Sequence, residues 1–374
     1  MTDNSNIPVG LIDRRLFLAG TVAAMAVPAL AKAEGTDLNL FVGTYSSDTA
    51  KGIYPLTYTV ATDSWNLGPA NPAIENVSFG AYSPAAKRWY LLNEKDEGRI
   101  DVYDQSWTQA YEVSSQGSSP CYAAVDPTGG WLAVANYSSG NVVVFKIGEE
   151  GGLQQPPVNR QNKGTGPNKA RQEGPHAHWV QFHGDHIYSV DLGTDQVLGY
   201  DFDASGGAIG EAFEAYKAPG GAGPRHLAFH PDGVHAFLVT ELSSVVIVLK
   251  KTANGRFEAI QTISALPADF KGESFCAHIT LNAAADRLYV SNRGHNSIAV
   301  FDVASDGRLT LRQIAPTLGN WPRFFALYEA QKRLVVAHQK GNDLVVFEVK
   351  SDGTLAPKNQ RIEVSIPVFI GTVV

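Results

Sequence analysis

The chain has 374 residues, 44% apolar and 18% charged, with 36 Gly, 20 Pro and a net charge of −7. Ample hydrophobicity, glycines without a three-residue period and the lack of sustained heptads exclude disorder, collagen and coiled coil. The acidic balance argues against a nucleic-acid partner, which needs a basic surface.

Residues 1–33 read as an address. Asp13-Arg14-Arg15-Leu16-Phe17-Leu18 fits the twin-arginine pattern, a short apolar run to Leu30 follows, and Ala31-Lys32-Ala33 supplies an A-x-A cleavage site. The run is too short to span a bilayer. The expected partner is the twin-arginine export machinery, and the expected mature protein is periplasmic residues 34–374, not membrane-embedded after cleavage.

The body repeats. NVSFGAYSPAAKRWYLLNE (76–94), PCYAAVDPTGGWLAVANY (120–137), PHAHWVQFHGDHIYSVDL (175–192), PRHLAFHPDGVHAFLVTEL (224–242), CAHITLNAAADRLYVSNR (276–293) and PRFFALYEAQKRLVVAHQ (322–339) share one grammar of strand, tight turn and strand. Asn93, Asn136, Asp191, Thr240, Asn292 and His338 correspond, 43 to 55 residues apart. Third strands follow each (RIDVYD, NVVVFKI, QVLGYDF, SVVIVLK, SIAVFDV, DLVVFEV). Turn signals such as Ser305-Asp306-Gly307 and Ser351-Asp352-Gly353 lead to a fourth. Residues 39–46 and 52–60 look like second and third strands lacking a first, while 367–374 looks like a first strand with nothing after it. Joined, they complete a seventh unit and close a ring without exposed sheet edges. The predicted fold is all-β: a seven-bladed β-propeller of four-stranded blades, one blade shared by the two termini.

In such a blade the start of the first strand and the end of the second lie at the same mouth of the central channel. Strand starts carry His176, His178, Arg225, His226, His278 and Arg323; strand ends carry Glu94, Tyr137, Asp191, Glu241, Arg293 and Gln339. Converging arginines suit an anionic substrate, with a neighbouring carboxylate to hold a histidine near a working pKa. No nucleophile elbow, dinucleotide fingerprint, Walker loop or H-E-x-x-H motif is present. His176 and His178 flank Ala177 and would point the same way on a strand, but the nearby arginines would repel a cation, so no metal or other cofactor is expected. Cys121 and Cys276 make no disulfide framework. His183, His186, His230, His235 and His338 read as turn or blade residues. The Gly-rich run 219–224 reads as a pliable loop over the mouth.

Gly43-Thr44-Tyr45, Ala135-Asn136-Tyr137-Ser138-Ser139-Gly140, Gly174-Pro175-His176-Ala177-His178, Asp191-Leu192-Gly193-Thr194-Asp195, Gly223-Pro224-Arg225-His226 and Ser291-Asn292-Arg293-Gly294 together resemble the seven-bladed β-propeller lactonases. That family includes propeller-type 6-phosphogluconolactonases and fungal carboxy-cis,cis-muconate cyclases. The resemblance covers the whole body and implies an active site at His176, His178, Arg225, Glu241 and Arg293, with Glu94, Tyr137, Asp191, His226, His278, Arg323 and Gln339 left as substrate-binding candidates. It implies hydrolysis of a small anionic or lactone substrate. Ring closure of a muconate-type diacid, and a non-catalytic binding propeller, remain the alternatives. Export separates the chain from cytoplasmic 6-phosphogluconolactone, so a sugar or sugar-acid lactone is the expected substrate.

Overall fold

The computed structural model describes residues 35–373, so the export segment at 1–33 lies outside the described residues. Seven antiparallel sheets of four strands or, in one case, five make up the body. In chain order the first blade comprises Val77–Ser83, Arg88–Asn93, Arg99–Tyr103 and Gln109–Ser114, innermost strand first. The next five follow the same order, opening with Pro120–Val125, Ala177–His183, Pro224–Phe229, Phe275–Leu281 and Pro322–Tyr328. The third blade departs only at its rim, where Ala208–Ile209 and Phe213–Lys217 both pair with Gln196–Asp203. The seventh places Pro367–Thr372 against Leu38–Thr44, then Ile53–Thr59 and Ser64–Leu67, so the termini share one blade as predicted. No helix among the described residues is long and apolar enough to cross a membrane.

Composition explains the strand order. Second and third strands are covered on both faces by neighbouring blades and are nearly continuous in apolar residues: Trp131–Asn136 is buried throughout, and Asn141–Lys146 in all but its last residue. Outermost strands alternate, as in Val158–Gln161. Four inner strands open on proline (Pro120, Pro224, Pro322, Pro367), which is tolerated because the inner strand is an edge and proline stands at its first position. Tyrosine hydroxyls of alternate blades tie each to the next: Tyr90 donates to the Gly151 carbonyl at 2.8 Å, Tyr188 to Gly255 at 2.9 Å and Tyr289 to Gly353 at 2.9 Å.

The inner strands share an irregularity that builds the mouth. In every blade the pairing of first and second strands slips near the start of the inner strand, leaving Ser78, Cys121, His178, Arg225, Ala277, Arg323 and Val368 at corresponding bulge positions. A bulge re-aims a side chain and bends the strand. The following residues are Phe79, Tyr122, Trp179, His226, His278, Phe324 and Phe369. Six of them meet ring to ring around and across the axis: Phe79–Tyr122 at 4.0 Å, Tyr122–His226 at 5.1 Å, His226–His278 at 5.7 Å, His278–Phe324 at 4.4 Å, Phe324–Phe369 at 5.1 Å and Phe369–Phe79 at 4.9 Å. This aromatic layer floors the polar mouth.

Candidate active site

Glu241 is the centre of the larger half of the mouth. It follows the second strand of the fourth blade, is buried, and receives three guanidinium groups. Arg171 Nη2 donates to Oε1 at 2.6 Å and Arg225 Nε to Oε2 at 3.1 Å, while Arg293 Nη2 lies 2.7 Å from Oε2. Burial opposes ionisation, but the charges of Arg293 and Arg225 override it and hold the carboxyl far below the usual carboxylate range. Its acceptor capacity is thus spent on orienting arginines.

Those arginines are fixed from behind. Arg225 Nη1 donates to the Ala277 carbonyl at 2.6 Å and to His226 Nε2 at 3.0 Å. Because a guanidinium only donates, His226 accepts at Nε2 and carries its proton on Nδ1. Arg293 Nε donates to the Phe275 carbonyl at 3.2 Å and Nη2 to that of Cys276 at 3.1 Å. These contacts engage Nε and one Nη of each arginine.

His178 stands at the bulge of the third blade, edge-on to Tyr137 (5.3 Å) and His226 (5.4 Å), with Nδ1 3.7 Å from the Cys121 thiol. Burial, followed by the Arg225 charge, pushes its pKa well below 6.5, so its imidazole is neutral; Glu241 acts in the opposite sense. His176 does not share its direction. The bulge between Ala177 and Trp179 breaks the alternation, and His176 stacks on Tyr137 at 4.5 Å. Its Nδ1 lies 3.0 Å from the Tyr137 carbonyl and its Nε2 3.0 Å from Glu173 Oε1, so both nitrogens face oxygen acceptors.

The smaller half comes from the first, sixth and seventh blades. Tyr45 donates to Glu94 Oε2 at 2.8 Å, Arg323 approaches Glu94 Oε1 at 3.9 Å, and its guanidinium lies over the Tyr45 ring at 5.4 Å. Cys121 is buried beside His178, and burial pushes its thiol up. Gln339 donates its backbone N–H to the Trp321 carbonyl at 3.0 Å, and its buried Oε1 has no partner among the described residues. His278 Nδ1, in the aromatic layer, has no partner among the described residues either, and burial lowers the imidazole's pKa to about 3.

The structure therefore brings together His178, Arg225, Glu241, Arg293, Tyr137 and His176 in one network and Glu94 with Arg323 in another. It places His226 and His278 in the floor and Asp191 behind the mouth. Asp191 is fully buried and accepts from the backbone N–H groups of His176 (2.9 Å) and Thr194 (3.0 Å) and from Asn162 Nδ2 (2.7 Å). The mouth position in that blade is Leu192, whose N–H reaches the His176 carbonyl as that of Glu241 reaches Gly223 and that of Tyr137 reaches Ser119.

Two residues of the networks escape the repeat pattern as drawn from sequence. Arg171 sits in the connection between the second and third blades, without a repeat position, and Tyr45 lies in the detached half blade at the N-terminus. The Gly-rich run is no pliable cover. Asp195 Oδ2 accepts from the Gly221 N–H and Oδ1 from that of Gly223, both at 2.8 Å, which pins the turn beside Glu241. Among the described residues no group of three or more His, Cys, Asp or Glu could hold a metal ion.

Known proteins share this arrangement of strands. The family model described as "Lactonase, 7-bladed beta-propeller" matches residues 39–372. A 6-phosphogluconolactonase of Bacillus subtilis is 36% identical over 295 residues, covering 76% of this chain and 83% of that protein. The periplasmic gluconolactonase of Pseudomonas aeruginosa superposes with a TM-score of 0.81 at 28% identity, over 91% of this chain and 99% of its own. A protein from Lactobacillus plantarum does so with a TM-score of 0.82 at 31% identity, over 90% and 99%. With its whole propeller matched, the chain belongs to the seven-bladed β-propeller lactonase family.

Proposed function

We propose that the protein is an exported lactonase that opens a sugar or sugar-acid lactone at this mouth. The observation that carries the reading is the clamp of Arg171, Arg225 and Arg293 on Glu241 beside a neutral, buried His178. Similarity to a 6-phosphogluconolactonase and to a periplasmic gluconolactonase supports the reaction class, and the twin-arginine pattern at 13–18 supports export.

In this mechanism the lactone lies on the aromatic floor with its carbonyl oxygen toward the guanidinium groups of Arg225 and Arg293. Neutral His178 takes a proton from water as the oxygen attacks the carbonyl carbon. The two arginines hold the oxyanion, and the Glu241 charge favours the imidazolium as it forms. Collapse breaks the ring C–O bond, and the imidazolium returns its proton to the leaving alkoxide. His176, with both nitrogens turned to oxygen acceptors, orients Tyr137 instead.

A pH-indicator assay on residues 34–374 with a panel of aldonolactones, phosphogluconolactone and aromatic-pathway lactones tests the proposal. Acid release by the wild type, reduced by at least ~10²-fold in kcat/KM in Arg225→Ala, is expected from the loss of an oxyanion donor. Full activity in that variant would remove Arg225 from the mechanism. No acid release from any lactone would shift the reading to diacid ring closure, followed by loss of diene absorbance, or to a binding propeller.

A further inference from the structure

A row of residues at the entrance to the inner strands bears on the site from outside. Asn76, Ser119, His176, Gly223, Phe275, Trp321 and Ile366 occupy this position in the seven blades. In five of them the backbone is left-handed: Asn76 (φ 50°), Ser119 (55°), Gly223 (58°), Trp321 (69°) and Ile366 (48°). Glycine meets the requirement without strain, as at Gly223, and asparagine tolerates it. A tryptophan does not, and such a residue persists only where its surroundings over-determine it.

The surroundings of Trp321 do so. Its N–H donates to Asn296 Oδ1 at 2.8 Å and its carbonyl accepts from the Gln339 N–H at 3.0 Å. Its indole carries the Arg293 guanidinium at 5.6 Å, the Lys340 ammonium at 3.4 Å and the Phe275 ring at 5.9 Å. The same relation recurs three blades away: His176, at the corresponding position in the third blade, stacks on Tyr137, the mouth residue of the second. In both places the residue opening one blade covers the mouth residue of the blade before it. Arg293, although it ends a strand at the mouth, is thereby only 5% exposed.

We propose that Trp321 is a positioning residue: its indole seals the Arg293–Glu241 ion pair from water and fixes the guanidinium that meets the substrate, and tryptophan is kept at this left-handed position, despite the strain, for that side chain. The proposal rests on the lactonase reading for its effect on turnover and stands apart from it for its effect on the ion pair.

Three variants test it: Trp321→Gly, Trp321→Ala and Trp321→Phe. Glycine and alanine both remove the indole, but only alanine keeps the left-handed strain, so the glycine variant is expected to melt higher than the alanine variant. Both are expected to lose about 10- to 100-fold in kcat/KM, mostly in kcat, because the arginine is loosened rather than removed. Phenylalanine, which keeps a ring in place, is expected to recover most of that loss. With the ion pair open to water, the melting temperatures of the glycine and alanine variants should depend on salt between about 0.05 and 0.5 M more than that of the wild type.

Wild-type turnover in both indole-free variants, or a phenylalanine variant as impaired as they are, would overturn the role in positioning Arg293. Equal melting of the glycine and alanine variants would overturn the strain argument. A wild type without lactonase activity would sink the reading of the function. The salt dependence of melting would then decide alone, and no change in it would overturn the sealing of the pair.

Discussion

At the scale of single residues, burial and the neighbouring Arg225 keep His178, His226 and His278 neutral at the mouth. Six histidines are depressed in the folded state. His178 and His226 lie well below 6.5 through burial and Arg225, and burial is the first cause in the others: His183 falls to about 4, His278 and His338 to about 3, and His295 is lowered as well. In the unfolded chain each titrates near its ordinary value. Between about pH 6.5 and 4 the unfolded state therefore binds more protons than the folded one, and stability falls as pH falls, by about 1.4 kcal/mol per pH unit for each proton taken up. Glu241, held ionised in the fold, adds to the loss at lower pH; Asp101 and Asp191, raised by burial, oppose it. Urea unfolding at pH 7, 6 and 5 is expected to show a steepening loss of stability with the uptake of several protons. A flat profile over that range would mean that the histidines are not buried neutral.

At the scale of elements, the site depends on turns that the strands alone do not specify. Asp195 ties three of them, accepting from Gln172 Nε2 at 2.8 Å as well as from the Gly221 and Gly223 N–H groups. Gln172 adjoins Arg171, and the Gly223 carbonyl accepts from the Glu241 N–H. Asp195→Ala would leave buried donors unpaired, at a cost of about 2–3 kcal/mol, and would loosen Arg171 and Glu241 together. A lower denaturation midpoint with a parallel fall in kcat/KM is expected; wild-type kcat/KM in a destabilised variant would separate the turn from the site. The strands themselves, and the pairing of both termini in one blade, are legible in the sequence because hairpin spacing and apolar runs recur at blade length. Residues at strand ends are legible only to within one position. Asp191 takes part in the buried row of Asn93, Asn136, Thr240 and Asn292, one residue before the mouth, because polarity does not reveal which of two adjacent side chains a bulged strand turns inward. Arg171 and Trp321 leave no sequence signal of their role: one comes from a connection outside the repeat, the other is marked by a backbone angle.

At the scale of the whole molecule, the mouth exists only if the ring is closed, and the closure rests on one strand. Pro367–Thr372 pairs with Leu38–Thr44 and brings Phe369 into the aromatic floor, against Phe79 and Phe324. Deleting residues 367–374 would expose the edge of Leu38–Thr44, uncover Phe41 and Phe79, and open the floor beneath both halves of the site. An unpaired edge over apolar residues invites association with other chains. The truncated protein is therefore expected to aggregate rather than persist as a monomer with a three-stranded seventh blade. A circular permutant separates the two causes at work. Joining residue 373 to residue 35 through a short linker, and opening the chain between 363 and 367, keeps every strand while making the seventh blade continuous. The ends already lie together, with the Val373 N–H donating to the Asn39 carbonyl at 2.8 Å. This permutant is expected to fold and to retain lactonase activity, since its contacts are unchanged, but to unfold more readily, because no strand then holds the two ends of the chain in one sheet. Size-exclusion chromatography and thermal melting of the two proteins check both expectations; a soluble, active truncated chain would show that the seventh blade's inner strand is dispensable to the site.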